Sequence, residues 1–130
     1  MVSQGAQNLA VVQEGIQNNP CRSRRQQTLI QYFRSHYDGK IILVAAGKWP
    51  CLMPQLGIPF RKTLSEPNVA AWQQLRKGPL SWVEWIIRGS DDQVDEVMRA
   101  YPSAFNDFDL VEREQFPGEG SMEIYRRRTR

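Results

Sequence analysis

Histidine occurs once and cysteine twice in the 130 residues. Cys21 and Cys51 are too few and too far apart for a zinc centre. Long hydrophobic runs are also missing: no window approaches the roughly 20 apolar residues of a membrane-spanning helix. Residues 1–20 have neither the basic start nor the apolar centre of a secretory signal, so the chain in isolation reads as soluble. Phosphate loops are absent, because Gly39-Lys40 and Gly47-Lys48 lack both the second glycine and the following Ser or Thr of such a cradle. His36 has no Ser or Cys pattern to serve as a base. Asp91, Asp92, Asp95 and Glu96 are acids where a helix dipole favours them, which argues against a metal. No cofactor and no metal is the expectation.

What is present has globular proportions. Hydrophobic residues make up 41% and charged residues 24%, with 4 Trp, and this length supports one core. We read a partly extended lead-in over residues 1–20, a single α/β domain over 21–128, and a tail end at 129–130. The net charge of +3 rests on Arg126, Arg127, Arg128 and Arg130. A solvated chain end accounts for them; contact with nucleic acid or anionic lipid is the alternative.

Apolar periodicity organises the body. Leu29, Ile30, Phe33 and Tyr37 recur at helical spacing over 24–37, Asp38-Gly39 stops that helix, and 41–46 reads as a strand covered on both faces. Three prolines between Trp49 and Pro59 predict a packed loop without regular structure. Ser65-Glu66-Pro67-Asn68 opens a short helix that closes at Gly78-Pro79. A second apolar strand follows over 82–87, and Ser90 with Gln93 offers a capping box for a helix bearing Val94, Val97, Met98 and Tyr101. Two alternating segments flank Pro117-Gly118-Glu119-Gly120 as a hairpin. The expected fold is a layered α/β sandwich, with a mostly parallel sheet and an antiparallel C-terminal edge hairpin.

Candidate sites are few. Glu84, between Trp82 and Trp85, would be a general acid if buried and a wet strand residue if not. The first helix runs about 21 Å one way and the first strand about 20 Å back, which brings Cys21 and Cys51 to one sheet edge and leaves a disulfide sterically open. Ligands of open α/β sheets bind at such carboxyl ends. Arg22, Arg24, Trp49, Arg61 and Trp72 are the candidate substrate contacts, since cations and exposed aromatics grip phosphates and sugar faces.

One wider pattern joins Gln13-Glu14, Tyr32-Phe33, His36-Tyr37-Asp38-Gly39-Lys40-Ile41-Ile42-Leu43, Gly57-Ile58-Pro59, Glu66-Pro67-Asn68, Trp72, Trp82-Val83-Glu84-Trp85-Ile86-Ile87 and Glu123-Ile124-Tyr125-Arg126-Arg127. It resembles the soluble C-terminal extracytoplasmic domain of bacterial GT-C-class polyprenyl-phosphate-sugar glycosyltransferases, protein O-mannosyltransferase-like membrane proteins. The resemblance implies a non-catalytic domain at the periplasmic or outer face of a bacterial membrane, with catalysis housed in the membrane part of the parent. It implies that same transmembrane part and a saccharide or lipid-linked acceptor as partners, and makes nucleic acid an unlikely one. It also favours a Cys21–Cys51 bond, since disulfides persist outside the cytosol. The alternative reading is a free-standing α/β binding protein that uses its Arg-rich C-terminus on nucleic acid or anionic lipid.

Overall fold

The computed structural model describes residues 20–59, 62–64, 79–90 and 92–128. The first helix, α1 (Arg24–His36), starts where the Ser23 hydroxyl accepts from the Gln26 amide at 3.1 Å, and it buries Leu29, Ile30 and Phe33. Gly39, at φ +83°, turns the chain into strand β1 (Ile41–Leu43). This strand is shorter than the expected 41–46. Val44 and Ala45 stay buried, but Lys48 N–H bonds back to Ala45 in a turn and takes the chain out of the ladder.

The proline-rich loop contains a helix, α2 (Leu52–Leu56), with Pro54 inside it. Pro54 is its third residue, where an amide has no partner within the helix, so its missing N–H costs nothing there. Gly57, left-handed at φ +65°, ends it. Strand β2 (Thr63–Leu64) and strand β3 (Val83–Gly89) flank β1, both parallel to it, so β1 is interior. After β3 come helix α3 (Gln93–Ala100), strand β4 (Phe108–Phe116) and strand β5 (Gly120–Arg127). The helix expected after Ser65, with Trp72 on it, and Arg61 lie outside the described residues.

The strand order is β2-β1-β3-β5-β4. Helices and a mixed sheet make this an α/β fold, but the expectation of a mostly parallel sheet is corrected. β5 runs antiparallel to both β3 and β4, and the hairpin strands are 9 and 8 residues long against 3 and 2 for β1 and β2. The antiparallel hairpin is therefore the larger part of the sheet.

Two groups of buried side chains form the core. Leu29, Ile30 and Phe33 of α1 pack with Leu52, Trp49, Trp85, Ile87 and Ile124. Val94, Val97 and Met98 of α3 pack with Leu43, Val83 and Ile86. β3 serves both groups, which is why its apolar run is nearly continuous.

Two members of the arginine run belong to the fold and not to a solvated end, Arg128 is exposed, and Arg130 lies outside the described residues. Arg126 and Arg127 lie in β5. The Arg126 guanidinium sits 4.3 Å over the Trp85 ring, and Arg127 lies 4.4 Å over Phe108 while donating to the carbonyls of Val83 and Leu80. Arg128 pairs with Asp109 at 2.7 Å.

Candidate functional site

The carboxyl end of β1 and β3 gathers the first group of polar residues. Cys21, in a short turn before α1, is bonded to Cys51, just ahead of α2, with Cα atoms 5.5 Å apart. Gln26, buried in the first turn of α1, donates its side-chain amide to the Lys48 carbonyl at 2.7 Å. These two links hold the start of α1 against the loop that follows β1.

Trp49, expected to be an exposed contact, is 1% exposed. Its indole N–H donates to Asp92 at 3.3 Å, and the guanidinium above its ring, at 4.5 Å, belongs to Arg25. Arg25 in turn donates to the Glu119 carbonyl at 2.9 Å. Arg22 and Arg24 are exposed near the same helix start.

Asp92 is a buried charged residue, 2% exposed. It, not Ser90, caps α3: one carboxylate oxygen accepts from the Asp95 amide at 2.8 Å, the other from the Gly89 amide at 2.8 Å and from Trp49. Burial pushes its carboxyl pKa up, and hydrogen bonds from the Asp95 and Gly89 amides and the Trp49 indole offset only part of that. Ser90 instead accepts from the Ser121 amide at 2.9 Å and ties β3 to β5. Asp92 was legible only as a dipole-favoured acid; the signal of its cap is Asp92-x-x-Asp95 ahead of the Val94, Val97 and Met98 face.

At the opposite end, Asp38 accepts from the Trp85 indole at 3.0 Å, from the Lys40 amide at 3.1 Å, and from Arg126. Partial burial pushes its carboxyl up, but these donors together outweigh it and hold the pKa below the ordinary value. His36 is exposed, stacked on Tyr32 at 4.2 Å, with its Nδ1 2.9 Å from the Tyr32 carbonyl oxygen. Glu84 is half-buried within β3.

A second locus was not anticipated. A polar cleft of about 380 Å³ opens between α3 and the strands β3, β5 and β4. Its wall is a chain of alternating charge. Arg113 of β4 pairs with Glu123 of β5 at 2.8 Å, and Glu123 lies 3.6 Å from Arg88 of β3. Arg88 donates to Asp95 of α3 at 2.7 Å, and Asp95 also meets Arg99 at 3.0 Å. Ser90 and Ser121 complete the lining. The cleft was hidden in the sequence because its members come from four elements whose pairing, Arg88 opposite Glu123 and Glu123 opposite Arg113, is set by the antiparallel register. Three guanidiniums against two carboxylates leave it one net positive charge.

Among the described residues no helix is long and apolar enough to cross a membrane, and no group of three or more His, Cys, Asp or Glu is placed to hold a metal ion. No protein-family model matches this chain, and no curated protein or solved structure matches it.

Proposed function

We propose that this chain is a non-catalytic binding domain of a membrane-embedded, glycosyltransferase-like protein, exposed on the extracytoplasmic face of a bacterial membrane. There it holds an acceptor saccharide or lipid-linked partner beside the transmembrane part of the same parent. The observation that carries this reading is the Cys21–Cys51 bond, because structural disulfides persist in oxidising compartments and are rare in the cytosol. The polar groups favour binding over bond breaking: Asp92 is committed to capping α3 and receiving Trp49, and Glu84 is not enclosed. Arg22 and Arg24, exposed near the disulfide, remain contact residues in this proposal, with Arg61 and Trp72. The alternative use of the C-terminal arginines on nucleic acid or anionic lipid loses ground, since Arg126 and Arg127 are engaged by Trp85, Phe108 and backbone carbonyls.

Fractionation of the native cells tests the proposal. An antibody against this domain should find it with the membranes, and protease added outside spheroplasts should remove the signal. A protease-protected chain in the soluble cytosolic fraction would refute it.

A further inference from the structure

We infer that the cleft between α3 and the β3-β5-β4 strands is a binding site for a phosphomonoester carried on a hydroxylated group. This rests on the reading of the domain as a binding module and adds the class of ligand. The two ends of the charge chain carry the argument. Arg99 and Arg113 have 59% and 58% of their side-chain surface exposed, and each meets one carboxylate, Asp95 one turn back on α3 and Glu123 on the neighbouring strand. A guanidinium has five N–H donors, so one carboxylate leaves part of that donor fork facing the cleft, where a planar fork suits a phosphate oxygen pair. Asp95 and Glu123 are only 13% and 15% exposed, so the guanidiniums are the open halves of these pairs, and a phosphate can take their remaining N–H donors without displacing either carboxylate.

The centre of the cleft differs from its ends. Arg88 is more covered and held by Asp95, Glu123 and the Tyr125 hydroxyl, so it is a fixed positive charge rather than a mobile arm. Ser90 and Ser121 add hydroxyl groups that can exchange hydrogen bonds with a polyol. The volume matches the small end of ligand pockets, and the lining is too polar for an apolar ligand. The same phosphomonoester can arrive free in solution or on a lipid headgroup.

Titration of the folded domain with glycerol phosphate, followed by the amide signals of Ser90 and Ser121, tests the inference. A parallel arm uses vesicles of phosphatidylcholine with and without phosphatidic acid. Saturable shifts with glycerol phosphate, weakened about tenfold or more by Arg99→Ala and by Arg113→Ala, support a soluble phosphomonoester. Binding confined to phosphatidic acid vesicles with the same dependence supports the headgroup source. Arg34→Ala, on the exposed side of α1, should leave either signal unchanged. No saturable binding in either arm, or equal loss with Arg34→Ala, overturns the site. Unchanged cell fractionation beside a failed titration would remove this inference alone and leave the proposed function standing.

Discussion

Asp38 and Asp92 show how differently two carboxylates of one fold are set. Asp38 is on the surface and surrounded by donors, so its folded pKa lies below its unfolded one. Its contribution is then present above the unfolded carboxylate pKa and is lost as the pH falls through the lowered, folded value. Asp38→Asn should therefore lower the thermal midpoint at neutral pH, and the gap to the parent protein should hold down to about pH 5 and close only as the pH falls through the unfolded carboxylate value, about 4, and below it. A gap independent of pH would show that the Trp85 and Arg126 contacts act without the charge. Asp38 was legible only as a helix stop beside Gly39. Nothing local announces that Trp85, 47 residues on, and Arg126, 88 residues on, converge upon it.

Elements repeat that division between local and distant information. α1 begins and ends within a residue of its expected bounds because its cap, its apolar spacing and its Gly stop are all local. α2 runs against the expectation of an irregular loop because proline breaks a helix only beyond its first turn, and Pro54 lies within that turn. The parallel sheet was over-extended because alternating helix and strand signals say nothing of strand length, and the long hairpin decides the balance by docking β5 on β3. The cap of α3 makes the link between elements measurable. Asp92→Ala removes the acceptor of the Asp95 amide and leaves the buried Gly89 amide and Trp49 indole without theirs. Loss of a cap and of a shared buried acceptor should cost about 2–4 kcal/mol in denaturant unfolding. A change within about 0.5 kcal/mol would mean that the Trp49–Asp92 contact does not brace this end of the sheet. Gly89 fits the same picture: a Cβ there would lie 3.0 Å from both Asp92 and the Trp49 ring, so the close approach of β3 to that pair depends on glycine.

At the scale of the whole molecule, the disulfide closes a separation of 30 residues and fastens the start of α1 to the loop beyond β1. Chain-entropy reasoning gives such a closure about 3–4 kcal/mol, a large share of the stability of a domain of this size. The sequence placed the two cysteines at one sheet edge by the lengths of α1 and β1, which run in opposite directions, and in that sense the edge was legible. The cleft was not, because it exists only once α3 and three strands are assembled in register. The proposed function places this disulfide-bonded domain where thiols are oxidised, and that placement is the centre of this account. The most direct measurement is the thiol state of the protein in its native cells, trapped by a maleimide under denaturing conditions before and after reduction. The account predicts that Cys21 and Cys51 gain no label until reductant is added. Full labelling of both cysteines without reductant would contradict it.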